Sequence, residues 1–368
     1  MSVTINGTNG LTFSDASTQN TAATGFGFKN RIINGAMMID QRNAGAAVSL
    51  TAGGVYTLDR WRGWEDTDGT ATVQQSTTAP AGFVNSLLYT VTSADASLGA
   101  TQYTCLGQVI EGTNVSDFAW GTANAKAFTV SFWVNCSLTG TFGATVVNGA
   151  NTRSYPFTYA ISAANTWEYK TVTIPGCTDG VWATDTGSGL RLYLGLGVGS
   201  TYSAAAGSWQ SGFYLSATGA QSVIGTNGAT FYITGVQLEK GSIATPFDFR
   251  SYGTELALCQ RYYQLVTSAS IALNSIFPGR AYSTTAIVFA VNVPVLMRSA
   301  PTMTGGNLNA YSGAAIKASS GGSLTPTTVD GYTTHYTVAA TGWTGLTNDG
   351  IYNVGAATTT AITLSSEL

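Results

Sequence analysis

The chain has 368 residues and a net charge of −3, and only 9% of its residues are charged. Soluble domains usually carry about 25% charged residues, so hydroxyl and amide groups must hydrate much of this surface. The fifteen basic residues are scattered singly, which argues against nucleic-acid binding because phosphate backbones require clustered positive charge. The sequence contains no run of 18 or more apolar residues, so it predicts no membrane span. The opening residues lack the pattern of a secretory signal.

The first segment, residues 1–28, is polar and rich in glycine. Its apolar residues are too few to bury a core without help from elsewhere. We therefore predict an extended N-terminal arm that becomes ordered only against partners. A disordered terminus is the alternative interpretation.

Residues 29–250 show the two-residue period of β-strands. Alternate apolar residues at 128–138 and 190–198 predict strands with one buried face, and Trp133 falls on the polar face of the first. The alternation changes phase at Gly235, where a β-bulge would let both parts face one core. About ten short strands with turn-forming residues between them predict a single antiparallel β-sandwich.

The segment 251–265 is the one stretch that predicts a helix. Thr254 is a suitable cap, Glu255 suits the first turn, and Leu258, Tyr262 and Leu265 follow helical spacing. We expect a short linking helix. Residues 266–368 resume the strand pattern and predict a smaller C-terminal β-domain, so the predicted fold class is all-β.

Three parts of the sequence resemble a known family. They are FYITGVQLEKGSIATPFDFR (Phe231–Arg250), IINGAMMIDQRNAG (Ile32–Gly45) with YTLDRW (Tyr56–Trp61), and ELALCQRYYQ (Glu255–Gln264). The chain resembles bacteriophage tail-fibre and receptor-binding proteins that contain a jelly-roll, carbohydrate-binding-module-like domain. The resemblance implies a homotrimer in the virion tail that attaches to host surface polysaccharide. It also implies that the N-terminal arm contacts other tail or baseplate proteins.

Enzymatic motifs are mostly absent. His335 is the only histidine, which leaves no HExxH motif and no Ser-His-Asp triad with its usual elbow. The four cysteines lack metal-ligand spacing, and we expect them to be reduced. The cluster Glu65, Asp66 and Asp68 suits a turn, a Ca²⁺ site or a pair of catalytic carboxylates. We favour the turn and predict no enzyme, no metal and no cofactor.

Sugar binding is the chemistry that the composition favours, because glycans present apolar faces to aromatic rings and hydroxyls to polar side chains. The alternative for each aromatic ring is that it packs within the protein instead of binding a ligand. Our first candidate site lies in the C-terminal domain, at the tip expected to face the host, and the second lies in the sandwich. The first consists of Asp330, Tyr332, His335, Tyr336 and Trp343, and the second of Asp179, Trp182 and Asp185.

The predicted function is attachment through weak glycan sites that a trimer presents together. A millimolar site supplies only about −4 kcal/mol, whereas linked copies strengthen attachment by roughly 10² to 10⁴. Two alternatives remain open: a purely structural tail or baseplate component, and a polysaccharide-degrading tailspike. We interpret Asp59, Arg60 and Trp61, together with Glu239 and Arg250, as structural residues of the sandwich.

Overall fold

The computed structural model describes residues 4–6, 10–12, 18–19, 29–266, 277–305, 308–312, 315–319, 324–326, 335–356 and 362–368. These residues form strands joined by turns, three short 3-10 helices and one α-helix. The predicted all-β class is confirmed. Among these residues, no helix is both long and apolar enough to cross a membrane.

Within the described ranges, eighteen strands precede the α-helix. Three of them belong to the predicted arm: β1 (Thr4–Asn6), β2 (Gly10–Thr12) and β3 (Thr18–Gln19). The strands of the sandwich are β4 (Val48–Ser49), β5 (Val55–Tyr56), β6 (Arg62–Asp66), β7 (Thr70–Ser76), β8 (Ser86–Ser93), β9 (Tyr103–Glu111), β10 (Phe128–Cys136), β11 (Gly140–Asn148), β12 (Arg153–Ile161), β13 (Glu168–Ile174), β14 (Ser188–Val198), β15 (Ser203–Ala204), β16 (Gln210–Ser211), β17 (Ser216–Ala217) and β18 (Thr230–Lys240). The 3-10 helices are Gly112–Asn114, Ser116–Phe118 and Ser200–Tyr202.

Two antiparallel sheets face each other in the sandwich. The seven-stranded front sheet has the order β16-β12-β11-β14-β9-β6-β5, and the six-stranded back sheet has the order β13-β10-β18-β8-β7-β4. The chain crosses repeatedly between the sheets, so strands far apart in sequence pair, such as β10 with β18. This arrangement is that of a jelly-roll sandwich. In the arm, β1, β2 and β3 pair antiparallel, and its remaining residues lie outside the described ones.

Burial of alternate residues confirms the predicted strand periodicity. Every second residue of β10 from Phe128 to Cys136, and of β14 from Leu190 to Leu196, is at most 1% exposed. These rows meet in the core between the two sheets. The opposite, outward face of β14 therefore carries Arg191 and Tyr193.

The predicted bulge at Gly235 is confirmed. The pairing of β10 with β18 shifts register between Ser131 and Trp133, and Gly235 adopts a left-handed φ of 61°. Glycine suits this conformation because a Cβ atom strains it. The extra residue lets Ile233 and Val236 both be fully buried although their positions differ in parity.

The α-helix, α1, spans Tyr252–Gln260 and is shorter than the predicted segment 251–265. Its N-cap is Ser251 rather than Thr254, and the Ser251 side chain makes no capping hydrogen bond. The helix ends early because the following residues form strand β19, which pairs with the distant strand β28. Long-range backbone pairing therefore overrides the local helical spacing.

Within the described residues, ten strands follow the helix and confirm the predicted smaller β-domain. They are β19 (Tyr263–Val266), β20 (Phe277–Ser283), β21 (Ala286–Asn292), β22 (Thr302–Gly305), β23 (Leu308–Ser312), β24 (Ala315–Ala318), β25 (Leu324–Pro326), β26 (His335–Thr341), β27 (Ile351–Ala356) and β28 (Ile362–Ser365). They form one sheet with the order β19-β28-β22 and another with the order β24-β23-β27-β20-β21-β26-β25. The domain has a hydrophobic core of its own.

Residues 366–368 extend from this domain onto the sandwich and meet buried arginines. Glu367 forms ion pairs with Arg42, at 2.7 Å, and with Arg60. The Arg60 side chain is 1% exposed and also donates to the backbone oxygen of Val109. Arg298 donates to the backbone oxygen of Glu367 at 3.0 Å. The charged junction, as we name it, consists of Arg42, Asp59, Arg60, Glu111, Arg261 and Glu367.

Aromatic rings and further hydrogen bonds enclose the charged junction. The guanidinium carbon of Arg60 lies 3.5 Å from the ring centroid of Tyr262, and that of Arg42 lies 3.6 Å from the centroid of Tyr263. Glu111 accepts hydrogen bonds from Arg261 and from the Tyr262 hydroxyl, both at 2.7 Å. Burial acts to raise the pKa of Glu111, but these hydrogen bonds outweigh it and lower the pKa.

The structural interpretation of Asp59, Arg60 and Trp61 agrees with their burial, since each is at most 1% exposed. Asp59 Oδ2 accepts from the Gln41 backbone N–H at 2.8 Å, and Oδ1 lies 3.6 Å from Arg42 Nε. Burial raises the pKa of Asp59 to about 6, although the bond from Gln41 and the charge of Arg42 both act to lower it. The negative charge of the Asp59 carboxylate is therefore only partly compensated by its neighbours.

Candidate functional site

The predicted C-terminal site is only partly within the described residues. Asp330 and Tyr332 lie outside them, and for His335 only the backbone, at the start of β26, is described. Tyr336 and Trp343 are 3% and 1% exposed and lie in the core of the C-terminal domain. Trp343 Nε1 donates to a backbone carbonyl at 3.1 Å. These two rings are core residues rather than the ligand platform that sequence analysis assigned, because they point into the domain.

The second predicted site, Asp179, Trp182 and Asp185, lies in the loop between β13 and β14. Asp179 pairs with Arg153 at 2.5 Å, and hydrogen bonds from Arg153 lower the pKa of Asp179 to about 2. Trp182 Nε1 donates to the Asp179 backbone oxygen at 3.0 Å, and Asp185 Oδ1 accepts from the Gly187 N–H at 2.9 Å. Polar groups of all three residues thus take part in contacts within the molecule.

Trp182 also belongs to a cluster of tryptophans. Its ring centroid lies 4.7 Å from that of Trp120 and 5.6 Å from that of Trp209. Trp120 Nε1 and Trp209 Nε1 each donate to a backbone carbonyl at 2.9 Å. The three rings pack as part of the sandwich core or against it, so the structure gives Trp182 a packing role.

Within the acidic cluster, Glu65 and Asp66 are the last two residues of β6 in the front sheet, and only Asp68 lies in the predicted turn, which leads to β7 in the back sheet. Glu65 is 7% exposed and accepts from the Ala71 N–H at 3.0 Å. Burial raises the pKa of Glu65. Among the described residues, no group of three or more His, Cys, Asp or Glu side chains is arranged to hold a metal ion.

An open cleft of about 260 Å³ lies on the outward face of the front sheet. Residues from β6, β9 and β14 form most of it, and the segment after β14 borders it. We call it the arginine cleft. Its lining residues are Arg62, Trp64, Tyr103, Cys105, Val109, Arg191, Tyr193, Phe213, Leu215 and Leu368.

Strand register places the polar and aromatic residues of the arginine cleft side by side. Arg62 lies opposite Gly107, and Gly107 lies opposite Tyr193 on the next strand. Trp64 follows Arg62 by two positions and Arg191 precedes Tyr193 by two, so each pair shares a face. A Cβ atom at Gly107 would lie 2.9 Å from Tyr193 Cδ1. The missing side chain therefore leaves room for the tyrosine ring.

The rings of the cleft meet edge to face. The centroid of Tyr193 lies 5.2 Å from that of Trp64 and 6.0 Å from that of Phe213. Tyr103, at another edge of the cleft, packs against Tyr202 at 5.3 Å. Burial raises the pKa of Tyr193 to about 12, so its hydroxyl is neutral at physiological pH and can both donate and accept hydrogen bonds.

Neutral groups hold both arginines of the cleft in place. Arg191 donates to Ser188 Oγ at 3.2 Å, to Asn151 Oδ1 at 2.8 Å and to the Gly149 backbone oxygen at 3.3 Å. Because none of these acceptors is ionised, the guanidinium group is fixed while its charge is left uncompensated by them.

Arg62 is held in a similar way, mainly by aromatic rings. Its Nη2 donates to the Gly53 backbone oxygen at 2.6 Å. Its guanidinium carbon lies 5.0 Å from the Trp64 ring centroid and 5.3 Å from that of Tyr56. Its Nε is buried without a hydrogen-bond partner. The ring faces stabilise the cation but do not neutralise it.

A second open cleft, of about 480 Å³, lies on the outward face of the back sheet. The rings of Phe83, Phe247 and Phe249 lie 4.8 to 5.3 Å from one another. Trp133, which the sequence placed on a polar face, lies here and packs against Tyr169 at 5.4 Å. We call this cleft the phenylalanine groove. Its lining residues are uncharged: Ala81, Gly82, Phe83, Ser131, Trp133, Tyr169, Gly235, Ala244, Thr245, Pro246, Phe247 and Phe249.

The arginine cleft could not be found from polar and aromatic residues that are close together in the chain, because its residues come from strands far apart in sequence. The signal that was present is one of parity. Arg62 with Trp64, and Arg191 with Tyr193, occupy alternate positions of a strand, opposite to the buried rows. Only the pairing of β6 and β14 with β9 shows that the two couples are neighbours.

No protein-family model and no curated protein matches the chain. Among solved structures, the enzymatically active domain of bacteriophage CBA120 tailspike protein 4 is 10% identical with a TM-score of 0.31, over 58% of this chain and 21% of that one. TmCBM61 in complex with β-1,4-galactotriose is 10% identical with a TM-score of 0.27, over 50% and 91%. The C-terminal family 22 carbohydrate binding module of Clostridium thermocellum Xyn10B is 13% identical with a TM-score of 0.29, over 52% and 98%. At these scores the likenesses support no conclusion about ligand, activity or assembly.

Proposed function

We propose that this chain is a phage tail-fibre or receptor-binding protein that holds a host surface glycan in the arginine cleft. The observation that carries the proposal is the combination of aromatic rings and fixed N–H and O–H donors in one open cleft. Rings such as Trp64 pack against the C–H face of a sugar, and donors such as Arg191 bind its oxygens. The phage role is supported by the tail-fibre resemblance of the segments around Ile32, Phe231 and Glu255.

The position of the cleft suits recognition without rearrangement. Arg62, Trp64, Arg191 and Tyr193 stand on paired strands of the front sheet, and sites on strands hold their geometry more closely than sites on loops. A preorganised site loses less conformational entropy when it binds.

A glycan array of bacterial surface polysaccharides tests this site. We expect the purified chain to be retained on at least one polysaccharide, and Trp64→Ala to lower its affinity about tenfold, through loss of the stacking surface. Trp167→Ala is the matched control and leaves retention unchanged, because the Trp167 ring packs against Tyr232 at 6.1 Å and lines neither cleft. Retention of Trp64→Ala at the wild-type level rejects the cleft, and no retention at all favours a structural fibre component.

The proposal includes a homotrimer in the virion tail, with the N-terminal arm bound to other tail or baseplate proteins. It is supported by the uncharged, open phenylalanine groove, where Phe249 is 59% exposed, because apolar patches of this kind commonly mark protein contacts. Sedimentation equilibrium should give a mass three times the 38.1 kDa of one chain. A monomer over the micromolar range contradicts this part of the proposal.

The proposed activity is binding without cleavage. Glycoside hydrolysis requires two suitably spaced carboxyl groups in most families, and the described lining of the arginine cleft includes no Asp or Glu. We expect a retained polysaccharide to keep its length after prolonged incubation with the protein. Shortening of the chains, measured by size-exclusion chromatography, identifies a tailspike enzyme instead.

A further inference from the structure

We infer that the glycan bound in the arginine cleft is anionic and carries a carboxylate, as hexuronic acids do. The inference rests on the proposed function and names the ligand class of the same site. It starts from a difference between the arginines of the cleft and those elsewhere in the molecule.

Among the described residues, seven of the ten arginines form an ion pair with a carboxylate, and Arg62, Arg191 and Arg298 do not. Arg298 instead donates from Nε, Nη1 and Nη2 to three backbone oxygens, those of Ser366, Thr186 and Glu367. The two remaining arginines without a carboxylate partner both line the arginine cleft. Half-buried cations without a counter-ion are costly to retain, so their meeting in one open cleft indicates a place for an anion.

Both guanidinium groups also retain donors for a ligand. A guanidinium group has five N–H donors, and the three bonds of Arg191 to neutral oxygens, with its contact to the Tyr193 hydroxyl, leave at least one of them. Arg62 uses Nη2 for the Gly53 oxygen, and its Nη1 makes no hydrogen bond to a described residue. The cleft is therefore short of acceptors.

Among the described residues, no acidic group near the cleft forms an ion pair with Arg62 or Arg191. Asp66 is close enough to Tyr103 to raise its pKa, after the larger effect of burial, and it stands on the far side of Trp64 from Arg62. Leu368 borders the cleft, and its backbone oxygen accepts from the Tyr56 hydroxyl at 2.9 Å. No Asp or Glu side chain among the described residues lines the cleft itself.

A carboxylate fits these donors better than a neutral hydroxyl does. The planar fork of arginine matches the two oxygens of a carboxylate, and charge-assisted bonds are about twice as strong as neutral ones. The sugar ring that carries the carboxylate would stack on the aromatic rings beside the arginines. One acidic sugar residue would thereby use both features of the cleft.

Chemical reduction of the ligand tests the inference directly. The probes are bacterial polysaccharides of known composition, arrayed in their native form and after carbodiimide and borohydride treatment, which converts each hexuronic acid to the neutral hexose with the same linkages. We expect native, carboxylated polysaccharides to be retained at least about tenfold more strongly than their reduced forms. Retention should also weaken as salt is raised from 50 to 500 mM, which shortens the range of charge interactions.

Variants locate the effect in the cleft. Arg62→Gln and Arg191→Gln should each lower retention of the carboxylated forms about tenfold and leave the reduced forms unaffected. Arg280→Gln is the control, because it removes the same charge from an exposed ion pair in the C-terminal domain. Arg62→Lys, which keeps the charge but not the fork, serves if Arg62→Gln unfolds, and should give an intermediate loss.

Each other outcome overturns one claim. Equal retention of native and reduced forms, together with a loss in Trp64→Ala, leaves a glycan site but rejects the anionic ligand. Retention of sulfated polysaccharides alone rejects the carboxylate. A loss in Arg280→Gln as large as in Arg62→Gln places the effect in overall charge rather than in the cleft. If no polysaccharide is retained, the proposed function fails along with the inference.

Discussion

Arg60 and Arg62 are two positions apart in the chain, yet they illustrate two different uses of the same side chain. Arg60 lies in the charged junction, 1% exposed, paired with Glu367 and covered by the Tyr262 ring. Arg62 lies in the arginine cleft, half-buried, over the Trp64 ring and without a carboxylate partner in the described structure. The first is neutralised within the molecule, whereas the second is oriented but left charged.

The difference is informative because charge is scarce in this chain. With 9% charged residues, the surface is hydrated mainly by neutral groups, and ionised side chains collect at a few places. In the charged junction they connect the two β-domains through Glu367, Glu111 and Arg261. In the arginine cleft they are held by neutral acceptors. An arginine paired with a carboxylate therefore has a structural role, whereas the arginines held only by neutral acceptors have the proposed binding role.

The largest effect that we expect comes from removing the compensation in the charged junction. Glu367→Gln leaves Arg60 and Arg42 without their shared counter-ion in a buried place. Breaking a buried pair by removing one partner typically costs about 3–5 kcal/mol. We expect a loss of this size in the free energy of unfolding, measured by urea denaturation at pH 7, unless the two domains unfold separately. In that case the loss should appear in the transition of the sandwich.

The exposed pair Arg280–Asp349 provides the control for that prediction. Its side chains are 62% and 68% exposed, and exposed ion pairs contribute roughly 0–1 kcal/mol. Asp349→Asn should therefore change stability by less than about 1 kcal/mol. If Glu367→Gln costs no more than this control, solvent reaches the charged junction and the contrast with Arg62 disappears.

The fold could be predicted largely because its signals are local. Alternation along β10 and β14 is read directly from neighbouring residues, and a change of phase at Gly235 is sufficient to place a bulge. The end of α1 could not be predicted in this way. Residues 263–266 continue a helical pattern, but they pair as a strand with residues about a hundred positions later. No local pattern contains that information.

The candidate site was less predictable for a related reason. Tyr336 has the same strand parity as Val338 and Ala340, which are buried, so its burial was available from the sequence. The arginine cleft was not, because Trp64, Tyr103 and Tyr193 come from strands separated by many residues. Their proximity depends on which strands pair and in which register, and periodicity alone does not supply either.

The pH dependence of stability tests how far the charge of Asp59, in the charged junction, is compensated. The folded-state pKa of Asp59, about 6, lies above its ordinary value of 3.8 because of burial. The folded protein thus binds this proton more tightly than the unfolded chain. The contribution of protonated Asp59 to the free energy of unfolding is fully present below about pH 4. It is lost as pH rises through about 6, a change on the order of 3 kcal/mol.

Asp59→Asn should remove that dependence, because an amide does not titrate. We expect the difference in unfolding free energy between wild type and variant to vary between pH 4 and 7 by the amount given above, with the wild type losing stability as pH rises. Urea denaturation at several pH values measures it. A difference that stays constant over this range means that Arg42, 3.6 Å from Asp59 Oδ1, compensates the carboxylate fully.

The smallest effect that we expect is on the stability of the cleft itself. Arg62→Gln removes a hydrogen bond to the Gly53 oxygen and two contacts with rings, but it also removes an uncompensated, half-buried charge. These terms oppose each other, so the unfolding free energy should change by less than about 1 kcal/mol, in contrast to Glu367→Gln. Urea denaturation of both variants in one buffer provides the comparison. Equal losses would make Arg62 a structural residue like Arg60, and its charge would then be no reason to expect an anionic ligand.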